Sequence, residues 1–164
     1  MNLRTIKILL VASMALYCLF YALQNLVNME QGIGAVAYVM GNVDHQSYPG
    51  SFGPSITQSW LISLAFGIIV AFETLAGLLA ARGAIDMIRA RHGSAQEFMS
   101  ATRYAALGAG VAMLVWFGLF GVIGGAFFQQ WQTQAGALSL EGAFQYGGMA
   151  ALIILFVRCV SDEV

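Results

Sequence analysis

The sequence predicts an all-α, polytopic membrane protein, in which a single domain (residues 1–164) forms a bundle of four transmembrane helices with both termini cytoplasmic. Two features of the composition support this prediction: 59% of the residues are apolar and only 9% are charged, whereas a soluble domain carries about 25% charged residues. A third observation is that the apolar residues are gathered into long continuous runs, which a soluble core does not need.

Four segments are long enough to cross a hydrocarbon core about 30 Å thick, which requires roughly 20 helical residues. Backbone amides in lipid must be paired within the segment, so each segment is predicted to be an α-helix. The runs lack the polar–apolar alternation of transmembrane β-strands. The predicted spans are Ile8–Val27, Trp60–Ala81, Tyr104–Phe128 and Ala143–Val160.

The seven basic residues predict the orientation. All of them lie before the first span, in the connection Arg82–Arg103 or at the end of the fourth span, and none lies in the connections Asn28–Ser59 and Gln129–Gly142. The positive-inside rule therefore places both termini and residues 82–103 in the cytoplasm. The first span has a basic start like that of a signal peptide, but its apolar run is longer than the usual 7–15 residues, so we expect it to be retained.

The connections differ in character. Residues 28–59 form a long outer loop, and the apolar stretch "GIGAVAYVM" within it favours an ordered cap over a segment lying loosely at the headgroups, because these side chains need somewhere to be buried. The inner loop, residues 82–103, has good helix formers and no proline, so we expect the flanking helices to continue and turn near His92. Residues 129–142 are predicted to be a short outer loop.

One acid, Glu73, lies within a predicted span. A charge near the middle of the bilayer costs at least about 2.5–3.5 kcal/mol on insertion scales, so Glu73 is expected to face the bundle interior. Counting residues from the inner end of each helix places Tyr17, Trp116 and Tyr146 at the same depth, and all three carry hydrogen-bond donors. Glu73 is a candidate for a structural hydrogen bond, a ligand contact or an ion relay, and the absence of a series of ionisable groups favours the first.

Small residues in the spans predict close helix packing, since glycine lets helix backbones approach each other in lipid. The pair Gly121-xxx-Gly125 is the clearest motif of this kind. Packing within the bundle is favoured over a dimerisation face, because four helices must contact each other somewhere. The candidate packing residues are Gly77, Gly118, Gly121, Gly125 and Gly147.

The sequence contains no pattern that indicates catalysis, a metal site or a cofactor. No serine, histidine and acid share one depth, and no Cys/His spacing fits zinc. The histidines, His45 and His92, fall on opposite sides of the membrane, which excludes histidine-ligated haem between the helices. The net charge of −1 gives no indication of nucleic-acid binding.

The chain resembles a bacterial family of predicted small integral membrane proteins of unknown function. The resemblance covers essentially the whole chain and rests on "FETLAGLL", which contains Glu73, on "WFGLFGVIGG" from Trp116 to Gly125, and on "FFQQWQ" from Phe127 to Gln132. It implies four helices and no particular activity. The chain departs from the family pattern at Ala126, where the family has an acid. It bears a looser likeness, in size and topology, to inner-membrane immunity proteins against pore-forming toxins.

These observations favour a non-enzymatic protein that contacts another membrane-inserted chain, in concrete form an immunity protein against a membrane-targeting bacterial toxin. One alternative is a small ion-coupled carrier or ligand-binding protein centred on Glu73. Another is an accessory subunit of a membrane complex. The expected partners are the lipid bilayer and a second membrane protein. This second protein is either a different chain, such as a toxin or a complex subunit, or a further copy of the same chain.

Overall fold

The computed structural model describes residues 2–48 and 50–161, and within them every regular element is helical. Four stretches are long and apolar enough to cross a membrane, which confirms the predicted fold class. The third of these stretches consists of three consecutive helical elements. In chain order the elements are α1 (Leu3–Val27), α2 (Met29–Met40), α3 (Ser59–Ala90), α4 (Ala95–Ala101), α5 (Arg103–Met113), a π-helix (Leu114–Phe127), one 3-10 turn (Gln130–Gln132) and α6 (Gln134–Cys159).

The spanning helices form a closed bundle. α1 packs along α3, α3 packs along α5, and α6 packs against α5 and the π-helix. Contacts between α6 and α1 complete the circle. The central cluster of buried side chains draws on all four spans and includes Met14, Cys18, Ala76, Ala80, Ala109, Val115, Trp116 and Ala150.

Small residues bring α3 and α5 into backbone contact. A Cβ atom added to Gly108 would lie 2.7 Å from the backbone nitrogen of Ala80 and 2.8 Å from the carbonyl oxygen of Ala76. A Cβ atom added to Gly83 would lie even closer to the backbone nitrogen of Ala105. Because apolar burial does not drive helix association in lipid, close packing of this kind supplies much of the attraction between the two helices.

Both described chain ends and the turn between α3 and α4 meet at one end of the bundle, which we call the inner end. The Arg4 guanidinium donates hydrogen bonds to the carbonyl oxygens of Arg91 at 3.0 Å and Gly93 at 2.7 Å. Lys7 Nζ donates to the carbonyl oxygen of Val160 at 2.6 Å. These hydrogen bonds connect the start of α1 to the turn after α3 and to the residue that follows α6.

α3 continues beyond the predicted end of the second span. The predicted span stops at Ala81 because Arg82 follows, but the helix is expected to continue into the inner loop and turn near His92. Its end at Ala90 confirms this continuation. Arg82 is compatible with this continuation because its side chain is exposed and pairs with Asp86 at 2.9 Å, while Met87 is fully buried. At 1.5 Å per residue the helix is about 48 Å long, so it is longer than a hydrocarbon core of roughly 30 Å.

The third span differs from the predicted single α-helix over Tyr104–Phe128. It is α-helical up to Met113 and then becomes a π-helix of 14 residues, Leu114–Phe127. The hydrogen bond from Phe128 N to the carbonyl oxygen of Ile123, at 2.9 Å, shows the i→i+5 spacing at its end. π geometry usually occurs as single turns, frequently at functional sites. Hydrophobic patterning did not reveal it, since a uniformly apolar run gives no helical period to measure.

α6 begins at Gln134, well before the predicted start at Ala143. Thr133 caps it, because its hydroxyl oxygen accepts a hydrogen bond from Gly136 N at 3.0 Å. Most of the predicted outer loop 129–142 is therefore helical. The glycine and polar residues in this stretch suggested a loop, but the threonine cap determines where the helix starts.

The described part of the long connection 28–59 contains α2, which packs against α3 at the outer end, opposite the described chain ends. Gly32 lies against the ring of Phe66, so the absence of a side chain there permits the contact. The connection is also joined to the turn before α6. Tyr48 N donates to Gln132 Oε1 at 2.7 Å, and Gln132 Nε2 donates to the Tyr48 carbonyl oxygen at 3.2 Å.

Candidate functional site

Glu73 lies inside the bundle and is held by a side chain from the neighbouring helix. Its side chain is 1% exposed. The Asn25 amide nitrogen, near the outer end of α1, donates a hydrogen bond to Glu73 Oε2 at 2.8 Å. Since water cannot satisfy polar groups within the hydrocarbon region, this bond stabilises the acid at its buried position.

Asn25 is the functional neighbour that the sequence prediction missed. Counting residues from Arg82 as the membrane boundary placed Glu73 level with Tyr17. In the structure the inner end of α3 lies at Arg91, so Glu73 sits further towards the outer end and its partner is about two helical turns beyond Tyr17. The signal that could have identified Asn25 is the amide pair Gln24–Asn25 near the outer end of the apolar run of α1.

The three predicted neighbours of Glu73 form a cluster with one another. The ring centroids of Tyr17 and Trp116 are 5.7 Å apart, those of Tyr17 and Tyr146 are 5.1 Å apart, and those of Trp116 and Tyr146 are 5.8 Å apart. Tyr21 completes the cluster, and its hydroxyl donates to Tyr146 Oη at 2.7 Å. Within residues 2–48 and 50–161, none of the four rings is hydrogen-bonded to Glu73.

The candidate polar site therefore has two parts, an acid–amide pair between α1 and α3 and an aromatic cluster between α1, the π-helix and α6. The two parts are neighbours, because Tyr21 of the aromatic cluster lies one helical turn before Asn25 on α1. The Tyr17 hydroxyl is buried without a hydrogen-bond partner among the described residues. In chemical terms the site offers hydrogen-bonding groups in apolar surroundings.

Three of the predicted packing glycines lie at contacts between helices. A Cβ atom on Gly77 would lie 2.6 Å from Cγ of Leu19, and one on Gly147 would lie 3.4 Å from Cβ of Trp116. A Cβ atom on Gly125 would lie 3.0 Å from Cδ2 of a leucine on α6. All three glycines contribute to packing within the bundle.

Gly118 and Gly121 differ from the prediction of packing within the bundle. A Cβ atom on Gly118 would have no atom within 4 Å, and one on Gly121 would meet only Phe117 and Trp116 of its own helix. The physical reason is the π geometry, since its wider turn changes which residues share a face compared with an α-helix. Gly83 and Gly108, which lie against the backbone of a neighbouring helix, were not among the predicted packing residues.

The remaining reactive side chains are dispersed. Cys18 is buried, Cys159 is exposed, and both are free thiols. Among the described residues, no three His, Cys, Asp or Glu side chains are grouped so that they could hold a metal ion. No salt bridge joins Glu73 to another described residue. Asp86 forms ion pairs with Arg82 and Arg89.

Comparison with known protein families shows what the chain is similar to. Residues 3–159 match the family described as "Predicted small integral membrane protein (DUF2165)", so the match covers almost the whole chain and all four spans. A comparison with curated proteins found no match, and neither did a comparison with solved structures.

Proposed function

The chain belongs to the DUF2165 family of predicted small integral membrane proteins, and from this premise we propose that it is a non-enzymatic protein that binds another membrane-inserted chain. We place it in the inner membrane of a bacterium, with its basic inner end in the cytoplasm. The distribution of its basic residues supports this orientation.

The observation that carries the proposal is the pair of glycines on the π-helix that no other helix covers. A Cβ atom added to Gly118 or Gly121 would meet no atom of another helix within 4 Å among the residues that the structure describes. Large apolar side chains adjoin them in the sequence, and Phe117 is 72% exposed. In lipid a small-residue surface of this kind allows a second helix to approach closely, which is the main source of attraction between transmembrane helices.

The concrete form of the proposal is an immunity protein, which would bind a pore-forming toxin laterally and prevent it from assembling in the membrane. The ordered outer segment around α2 supports this form, because it offers a structured surface on the side from which a toxin arrives. The Glu73 carboxyl group accepts a hydrogen bond from a neutral amide, that of Asn25, and an acid–amide pair of this kind suits a protein whose role is binding.

Purification of the tagged protein from native membranes in mild detergent, followed by mass spectrometry, tests the lateral contact. We expect the parent to retain a specific membrane protein and Gly121→Leu to lose it, because the leucine side chain would separate the two backbones. Gly67→Leu is the matched control, since Gly67 also faces open space but lies on α3. The same set of retained proteins in all three samples, or none with the parent, would contradict the proposal.

The immunity form has a separate test. Expression of the chain in cells sensitive to a pore-forming bacteriocin should preserve their membrane potential, and Gly121→Leu should remove this protection. If the parent gives no protection against any bacteriocin tested, the immunity form is wrong, while the lateral contact is still judged by the purification.

A further inference from the structure

The outer half of the bundle contains a cavity that the proposed helix contact does not use. Its volume is about 440 Å³, and it lies between α2, the outer half of α3 and the π-helix. This volume falls within the range of roughly 300–1,000 Å³ that is typical of small-molecule sites. Apolar side chains form most of its wall, among them Val36, Phe66, Ile69, Leu119, Phe120 and Phe128.

One polar side chain in this wall lacks a partner. Gln130 is 3% exposed and lines the cavity, and its Nε2 atom makes no hydrogen bond within the described part of the chain. The side chain lies directly over Gly124, where an added Cβ atom would be 2.6 Å from Gln130 Oε1. A buried amide donor without an acceptor costs about 1–3 kcal/mol, so its presence beside a cavity points to a ligand that supplies the acceptor.

The charges around the cavity indicate what kind of headgroup it would accept. The polar residues in its wall are Asn25, Gln130 and Ser139, all of them neutral, and the described lining contains no Lys or Arg to pair with an anion. Asn25 already donates one hydrogen bond to the carboxyl group of Glu73, which leaves the Gln130 amide as the unpartnered donor in the wall. A neutral group with a hydrogen-bond acceptor fits these surroundings best.

We propose that this cavity binds a neutral long-chain lipid whose carbonyl oxygen accepts a hydrogen bond from Gln130 Nε2, while its chain occupies the apolar space between α2, α3 and the π-helix. The surrounding bilayer supplies such molecules directly. An apolar chain gains little by leaving lipid for an apolar protein wall, so selection among lipids rests on the acceptor and on shape. The site includes neither Gly118 nor Gly121 and is therefore independent of the lateral contact.

Photolabelling of the full-length protein in nanodiscs tests this site, with a monoacylglycerol that carries a diazirine in its acyl chain as the probe. In the parent we expect labelled peptides from residues 32–40 and 119–130. Gln130→Met keeps the length of the side chain but removes the donor, so labelling there should fall roughly fivefold, the effect of one lost hydrogen bond. Circular dichroism and gel filtration establish that each variant is folded.

A pair of α3 variants tests the cavity without changing Gln130. Ala65→Phe fills the space from its α3 wall and should reduce labelling, whereas Ala71→Phe places the same ring on an exposed position of the same helix and should leave it unchanged. Unlabelled monoacylglycerol and an isoprenoid quinone serve as carbonyl-bearing competitors, and the stronger of the two identifies the source of the ligand. Equal labelling in the parent, Gln130→Met and Ala65→Phe would overturn the proposal. It would also be overturned if hexadecane, which has no carbonyl group, competed as strongly as the two carbonyl-bearing molecules.

Discussion

At the scale of single residues, the hydrogen bond between Asn25 and Glu73 allows an acid to lie within the bundle. We expect Asn25→Ala to lower the free energy of unfolding by about 1–2 kcal/mol. Hydrogen bonds between transmembrane helices contribute roughly 0.6–1.7 kcal/mol, and the carboxyl group left behind would find no water to replace its partner. Equilibrium unfolding in mixed micelles, followed by circular dichroism, measures the change.

Asn28→Ala is the matched control for this experiment. Asn28 carries the same amide three residues further on, but it is exposed and donates to Gln24 within its own segment, at 2.9 Å to the backbone oxygen. Its replacement should change the free energy of unfolding by no more than about 0.5 kcal/mol. Equal losses in the two variants would show that Asn25 has no special role in stabilising the acid.

The burial of Glu73 could be predicted from the sequence, but its partner could not. Burial follows from the cost of a charge in lipid, which depends on the residue alone. The partner depends on the register of α1 against α3, which the structure shows in the packing of Gly77 on Leu19. The hydrogen bond from Arg4 to the Arg91 carbonyl oxygen shows the same register at the inner end. Taking Arg82 as the membrane boundary shifted the expected register, because an exposed arginine can lie on a helix that continues.

At the scale of helical elements, the contact between α3 and α5 depends on the absence of side chains at particular positions. Gly108 lies against the backbone of α3, whereas a Cβ atom on Gly110 would meet nothing within 4 Å. Gly108→Ala should therefore lower the free energy of unfolding by about 1–3 kcal/mol through overpacking. Gly110→Ala should leave it unchanged or raise it by up to about 1 kcal/mol, because alanine favours the helix.

These two alanine variants differ by two positions on one helix, so the comparison isolates the contact from general effects of helix propensity. Unfolding in mixed micelles again provides the measurement. Equal stabilities for Gly108→Ala and Gly110→Ala would contradict the close approach of α3 and α5.

The existence of the four spans and the continuation of α3 towards His92 could be predicted from the sequence, while the start of α6 and the π-helix could not. Apolar runs of sufficient length identify a span whatever its neighbours are. The start of α6 depends on a feature outside the apolar run, namely the cap at Thr133. The π-helix changes the hydrogen-bond spacing without changing composition, and this is why Gly118 and Gly121 were predicted to pack within the bundle.

At the scale of the whole molecule, the central claim is that four helices cross the membrane with the basic inner end in the cytoplasm. The structure places the start of α1, the end of α6 and the α3–α4 turn at one end of the bundle, and α2 at the other. The lateral contact and the outer surface offered to a toxin both depend on this arrangement. The sequence predicts which end faces the cytoplasm through charge alone.

Labelling with a membrane-impermeant maleimide in bacterial spheroplasts tests this claim most directly. Cys159 is exposed at the inner end, whereas Cys18 is buried and should stay unlabelled. We predict that the native protein is labelled only after permeabilisation. A Cys159→Ser variant that also carries Ser55→Cys should be labelled in intact spheroplasts, since Ser55 is exposed in the outer connection. Labelling of Cys159 in intact spheroplasts, or protection of the cysteine at position 55, would contradict the topology.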